Sequence, residues 1–146
     1  VAGDTGDDVL RGGDGDDTIS GGGDNDIVLG EAGNDRLFGR QGRDIVLGGL
    51  GGDDVQGNDD DDIVAGGETT LAPAQLVTLL GMWTSSNDFT TRVNAVLGGA
   101  AGVAANMVDD TTVDGVIGHV GQDLYLAHGT DQIHAIRSND AVHSLP

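Results

Sequence analysis

The stretch GGDGDDTISGGGDNDIVLG, residues 12–30, repeats a glycine, a carboxylate and an aliphatic side chain at intervals of nine: Gly12 and Gly21, Asp17 and Asp26, Ile19 and Val28. Nine suits neither the period of a helix (about 3.6) nor the alternation of a strand. Outward from here the period runs without insertion through seven nonapeptides over residues 3–65: GDTGDDVLR, GGDGDDTIS, GGGDNDIVL, GEAGNDRLF, GRQGRDIVL, GGLGGDDVQ and GNDDDDIVA. Gly holds the first position (Gly3, Gly12, Gly21, Gly30, Gly39, Gly48, Gly57) and Asp the sixth (Asp8, Asp17, Asp26, Asp35, Asp44, Asp53, Asp62). The eighth is aliphatic (Leu10, Ile19, Val28, Leu37, Val46, Val55, Val64), and the fourth is Gly except at Asp24 and Asp60. A disordered Gly/Asp tract has no reason to keep an aliphatic residue at every ninth place, so the period predicts a solenoid.

Composition agrees with this. The chain of 146 residues has 27 Gly and 23 Asp but four aromatic residues (Phe38, Trp83, Phe89, Tyr125), so packed large side chains are not its main source of order. Asp outnumbers Glu, and the shorter carboxylate favours turns and compact oxygen cages. A net charge of −19, with six scattered Arg as the only basic side chains besides His, excludes a phosphate-binding face and hence nucleic acid. Metal cations are the natural counter-charge. There is no Cys for a disulfide, and no apolar run long enough for a membrane span. The chain begins at Val1 without a signal-peptide pattern, which points to a fragment or a processed product. H-E-x-x-H, G-x-S-x-G, a P-loop and a Cys nucleophile are all missing, so no enzyme is expected.

Glycines at positions one and four permit positive φ and close backbone approach, so the first six residues of each unit are expected to form a tight turn. Positions seven to nine then form a short strand, with position eight facing inward and positions seven and nine outward. Two units reverse the chain twice, so unit n and unit n+2 stack 18 residues apart at about 4.8 Å. Like Asp residues stack with them, and two bare charges at that distance repel by about 3.5 kcal/mol at an effective dielectric of ~20. Five such pairs oppose closure. A hard cation between stacked turns reverses the sign. Calcium, which takes six to eight oxygens in irregular geometry, fits two turns better than magnesium does.

The seven units resemble the RTX, or haemolysin-type, calcium-binding nonapeptide G-G-x-G-x-D-x-U-x. The resemblance implies an all-β fold: a right-handed parallel β-roll, or β-solenoid, with calcium ions, about five here, between successive turns on each side. Its ligands carry over onto the seven sixth-position Asp residues and the turns opened by the seven first-position Gly residues. Asp7, Asp16, Asp61, Asp24 and Asp60 are either further ligands or solvated turn acids. The resemblance further implies an extracellular protein exported by a type I route. An ice-binding face would need regular Thr arrays, and only Thr18 qualifies.

Odd units should build one sheet and even units the other. Outward positions of the odd sheet are apolar (Val9, Ile27, Ile45, Ile63, Leu29, Leu47, Ala65), apart from Arg11; those of the even sheet are mostly polar (Thr18, Arg36, Asp54, Ser20, Phe38, Gln56). The apolar face must be covered by this chain or by another molecule. Three segments follow: a roll over 1–67, a helical hairpin and connector over 68–107, and degenerate coils with a cap over 108–146. Pro73 opens a helix with Leu76, Leu79, Leu80 and Trp83 on one stripe, and Asn87 or Asp88 caps a second with Phe89, Val93, Val96 and Leu97. GGAAGVAA (98–105) reads as a connector. GHVGQDLYL (118–126) restores the repeat with Asp123, a further candidate ligand, and Tyr125; DDTTVDGVI (109–117) keeps Asp114 and Val116, and GTDQIHAI (129–136) reads as a shortened turn and strand. The irregular spacing of His119, His128, His134 and His143 suits turn or surface residues, not a transition-metal site.

Two functions compete. One is a secreted module that folds on binding calcium and serves a structural role as a surface, matrix or filament subunit, assembling through the odd face or the solenoid ends. The other is the C-terminal folding and secretion module of a larger secreted enzyme or toxin.

Overall fold

A computed structural model of the protein describes residues 1–97, 107–108, 113–127, 131–134 and 140–145. Two six-stranded parallel sheets face each other. The even sheet takes β1 (Ala2–Thr5), β3 (Thr18–Gly23), β5 (Arg36–Arg40), β7 (Asp54–Asn58), β11 (Gly115–His119) and β13 (Gln132–His134). The odd sheet takes β2 (Val9–Asp14), β4 (Ile27–Ala32), β6 (Ile45–Leu50), β8 (Ile63–Ala65), β12 (Leu124–Ala127) and β14 (Ala141–Ser144). Through the seven units the partners lie 18 residues apart, as in Leu10↔Val28 and Ile19↔Leu37. The chain is therefore a parallel β-roll.

Between the sheets runs a single row of eighth-position side chains: Ile19, Val28, Leu37, Val46, Val55 and Val64, continued by Val116 and Tyr125. The Tyr125 hydroxyl stays satisfied there by accepting from the Gly118 N–H at 2.9 Å. One apolar residue per nine makes a core only one side chain thick, so strand pairing and the bends must supply the rest of the order.

The backbone departs from the expected six-plus-three division. Strands run to six residues, covering positions seven to nine and then one to three of the next unit, as in Thr18–Gly23, so the bend occupies positions four to six. The positive-φ positions are two and four, not one and four. Position two holds glycine in three units but Asp4 (φ 78°), Glu31 (φ 78°), Arg40 (φ 93°) and Asn58 (φ 85°) in the others. That left-handed residue turns the strand toward the bend while the ladder persists, since Gly22↔Arg40 and Arg40↔Asn58 remain paired.

The outer face of the odd sheet is covered by this chain itself. After β9 (Glu68–Thr69), α1 (Pro73–Trp83) and α2 (Phe89–Leu97) lie over Ile27, Leu29, Ile45, Leu47 and Ile63 through Leu76, Leu79, Leu80, Trp83 and Val96. Asp88 caps α2, its carboxylate accepting from the Thr91 N–H at 3.0 Å. A short antiparallel pairing of β9 with β10 (Met107–Val108) closes the base of the hairpin. The connector 98–105, Asp109, His128 and much of 129–136 lie outside the described residues. The polar even face stays at least partly open, with the Arg40 guanidinium 4.7 Å above the Phe38 ring. No described helix is long and apolar enough to cross a membrane.

Candidate metal-binding bends

Bends leading into the odd sheet stack along one edge of the roll and bring Asp8, Asp26, Asp44, Asp62 and Asp123 into one column; bends leading into the even sheet do the same for Asp17, Asp35 and Asp53 on the other. The carboxylates do not simply repel across the gap, as bare stacking charges would. Each reaches back one coil, so that Oδ1 of Asp26 accepts from the Asp8 N–H (2.9 Å), Asp44 from Asp26 (2.8 Å), Asp62 from Asp44 (2.9 Å) and Asp123 from Asp62 (2.9 Å). Along the other edge, Asp35 accepts from Asp17 (2.7 Å) and Asp53 from Asp35 (2.8 Å).

That bond occupies one oxygen. The other, Oδ2 of Asp8, Asp26, Asp35, Asp44 and Asp62, is buried without a hydrogen-bond partner. A buried oxygen anion with no donor costs several kcal/mol. Burial pushes the Asp44 carboxyl up to about 8, with the neighbouring Asp26 and Asp60 charges adding to the rise against the opposing N–H bond. Asp26, Asp35 and Asp62 are raised for the same reasons, burial first.

The first-position glycines stand beside these oxygens. None of the seven has positive φ; they are glycine because of contact. A methyl group at Gly12 would lie 2.6 Å from the Gly30 carbonyl oxygen and 2.8 Å from Asp17 Oδ2. The same holds at Gly3, Gly21, Gly30, Gly39 and Gly48, each against its own unit's Asp and the glycine carbonyl one coil on, and at Gly57 against Asp62. At position four, methyl groups on Gly33, Gly42, Gly51 and Gly121 would strike the carbonyls of Gly15, Asp24, Gly33 and Asp60, one coil earlier. Main-chain carbonyl oxygens therefore face the gap between stacked bends. Among the described residues no group of three or more His, Asp or Glu side chains gathers at one point. A cation here would combine carboxylate Oδ2 atoms with main-chain carbonyls, the all-oxygen, loosely shaped donor set that suits calcium.

The extra acids Asp7, Asp16, Asp24 and Asp60 are exposed turn acids and Asp61 is half-buried; Asp7, Asp16 and Asp61 also belong to a second ladder of bonds between coils. Asp7 Oδ1 accepts from the Asn25 N–H (2.9 Å) and Asp16 Oδ1 from Asn34 (2.9 Å), and the pattern continues through Asn25 to Arg43 (3.1 Å) and Asn34 to Gly52 (2.9 Å). Asp24 accepts from the Gly6 N–H at 3.1 Å. Asp61 Oδ1 accepts from the Gln122 N–H (2.7 Å), while its Oδ2 meets the Arg92 guanidinium at 2.5 Å. Arg92 is buried at 3% exposure, with its guanidinium 4.8 Å from the Trp83 ring centre, and Trp83 Nε1 donates to the Asp61 carbonyl at 2.6 Å. The hairpin is thus pinned to one bend. Sequence reading missed Arg92, because an Arg between the apolar residues of a stripe ordinarily extends to solvent.

Two further carboxylates join the columns. Asp114 Oδ1 accepts from the Asp53 N–H (2.8 Å), and Asp140 Oδ1 from Asp123 (3.2 Å). The signal available for both was the remnant triplet of Asp, any residue, aliphatic, at 114–116 and 140–142. His119 is the exposed last residue of β11, paired with Asn58, with φ 81°.

With this geometry in place, comparison adds a family match over the first part of the chain, residues 2–68. A family model for the RTX calcium-binding nonapeptide repeat, in four copies, matches residues 2–37, 20–55 and 38–68. No curated protein and no solved structure matches the chain.

Proposed function

Because residues 2–68 are RTX calcium-binding nonapeptide repeats, we propose that this chain is a non-catalytic extracellular module that folds when calcium fills the gaps between its stacked bends. The observation that carries the reading is the set of buried, partnerless Oδ2 atoms at Asp8, Asp26, Asp35, Asp44 and Asp62, beside glycines that leave room for nothing larger than hydrogen. Calcium is the mechanism's cation: it supplies the positive charge those oxygens lack and lowers the cost of burying them. The sixth-position Asp residues, including Asp123, would hold it together with carbonyls of the turns opened by Gly3, Gly12, Gly21, Gly30, Gly39, Gly48 and Gly57.

Extracellular calcium modules bind at about 10⁻⁴–10⁻³ M, so the external medium would act as the trigger and the chain would stay open where calcium is scarce. Circular dichroism during a calcium titration from excess chelator tests this. A cooperative gain of β-structure is expected, and a chain already β-rich in chelator refutes the trigger.

A structural role by assembly would use the solenoid ends, whose edge strands offer unpaired backbone groups. The hairpin takes up most of the apolar odd face that could otherwise have been an assembly surface, and this favours the second reading, a folding and secretion module of a larger protein. Solution mass and negative-stain images with calcium separate them: polymers support the subunit, monomers the module.

A further inference from the structure

The coil that follows Ala65 is a split repeat. Its first-position glycine is Gly66, since a methyl group on Gly48 would meet the Gly66 carbonyl as each earlier first-position glycine from Gly3 to Gly39 meets the next. Its sixth-position carboxylate is Asp114, because a methyl group on Gly66 would meet Asp114 Oδ2, as each first-position glycine of the intact units meets Oδ2 of its own unit's Asp. Asp114 then bonds back to the Asp53 N–H at 2.8 Å. Beyond it the strands resume in register, Val116↔Val55 and Tyr125↔Val64. The nonapeptide frame drawn over 109–117 is therefore corrected: its opening residue comes from the other side of the hairpin. Where an intact unit spaces these two positions five residues apart, here they lie 48 apart, and the hairpin fills the interval.

We propose that Gly66 and Asp114 complete a calcium gap with the bend at Asp53, and that loading this split gap is the event that docks the helical hairpin onto the odd sheet. The inference rests on the calcium reading above. The column is continuous up to this point, and Asp35, two coils earlier on the same edge, carries a buried Oδ2 without a partner. The split gap differs from its neighbours in the chain that must be closed to form it. Loop-closure entropy grows with the logarithm of loop length, so the closure constant falls as its three-halves power and 48 residues in place of five weaken closure by up to about 30-fold. The gaps that lie wholly before the hairpin then fill first, and the split gap and the Asp62–Asp123 gap beyond it, which bridge the same insertion, fill later. Because the insertion begins and ends at this gap, closing it fixes both ends of the segment that carries the helices.

Trp83, the single tryptophan, reports on the hairpin through its buried ring and its bond to the Asp61 carbonyl. The experiment is a calcium titration of the full chain, following roll formation by circular dichroism, hairpin docking by Trp83 emission, and bound ions by native mass spectrometry. For the wild type, the emission midpoint is expected above the dichroism midpoint by up to about 30-fold in calcium. Asp114→Asn should bind one ion fewer and shift the emission midpoint at least tenfold higher while leaving the dichroism midpoint in place. Gly66→Ala, which crowds Asp114 in the same gap without removing its charge, should shift emission in the same direction. Asp8→Asn should move the dichroism midpoint instead. The clamp is overturned if the wild type binds calcium but Asp114→Asn keeps its ion count and its emission midpoint, or if both variants lose both signals together. A wild type that binds no calcium overturns the calcium reading itself, and the clamp with it.

Discussion

Gly39→Ala isolates the contact on which the bends depend. Gly39 lies within β5, opposite Gly57 and between the paired residues Phe38↔Gln56 and Arg40↔Asn58, without positive φ. By conformational entropy alone, alanine there should stabilise by about 0.4–1 kcal/mol. The methyl group, however, would stand 2.6 Å from the Gly57 carbonyl oxygen and against Asp44 Oδ2. The carbonyl belongs to a paired strand and can yield only by opening the ladder, an overpacking cost of about 1–3 kcal/mol. Asp44 can rotate away only by giving up the Asp26 N–H at 2.8 Å, a charged bond worth about 1.5–3 kcal/mol. The two together come to about 3–5 kcal/mol. Shared between the ions on either side of the coil, that loss is about 10- to 60-fold in each affinity, at about 1.4 kcal/mol per tenfold. Gly13→Ala is the control: φ is +100° and no atom lies within 4 Å of the added carbon, so it should cost only the left-handed penalty of about 1–2 kcal/mol and shift the calcium midpoint less than Gly39→Ala does. Denaturant unfolding at saturating calcium and the calcium midpoint by circular dichroism measure both. The reasoning fails if the two variants are equally stable, or if Gly39→Ala keeps the wild-type calcium midpoint.

Other outcomes follow from the same geometry. Arg92→Leu strips Asp61 of its buried partner and Trp83 of its cation, and should loosen the hairpin by about 2–4 kcal/mol, read as a red-shifted Trp83 emission and an earlier melt; an unchanged emission counts against the pinning. Asp44→Asn keeps an oxygen for the Asp26 N–H but removes the charge, so it should raise β-content in chelator and lower stability in saturating calcium; the same sign in both media refutes the charge account. For pH, Asp44 titrates near 8 when folded against an ordinary 3.8, so the metal-free folded state holds the extra proton between those values, and its stability is full below about 3.8 and lost as pH rises through 8. In chelator, β-content should therefore increase on acidification from pH 8 to pH 5, whereas in calcium acidification should raise the calcium midpoint, as proton and ion compete for one oxygen.

What the sequence made legible was whatever repeats at fixed spacing: the two sheets, the inward row from Ile19 to Val64, the apolar odd face and the helical stripe that covers it. Each is a side-chain property, and side-chain pattern is what a period displays. The second-position turn was hidden because Asp4, Glu31, Arg40 and Asn58 accept positive φ without being glycine. The split repeat was hidden because Gly66 and Asp114 are neighbours only in space. The pairing of Arg92 was hidden because its partner Asp61 lies on another element, 31 residues away. In each case the deciding contact is long-range and involves a residue whose type alone suggests something else.

Positions five and six form an internal comparison that bears on why the sixth is acidic. Both ladders stitch coils by the same bond, a side-chain oxygen accepting a main-chain N–H, but in opposite directions: the sixth-position side chain reaches back one coil and the fifth-position side chain reaches forward. At the fifth position the acceptor is Asp7, Asp16 and Asp61 in some units and Asn25 and Asn34 in others, so a neutral amide serves the bond as well as a carboxylate does. At the sixth position the same bond could equally be made by Asn, which would spare the roll a column of buried like charges. All seven units nevertheless carry Asp there. Hydrogen bonding therefore does not explain the charge. What distinguishes the sixth position is its second oxygen, enclosed beside a glycine and facing main-chain carbonyls; an anion in such company is stabilised by a cation, and by nothing else that the bend contains.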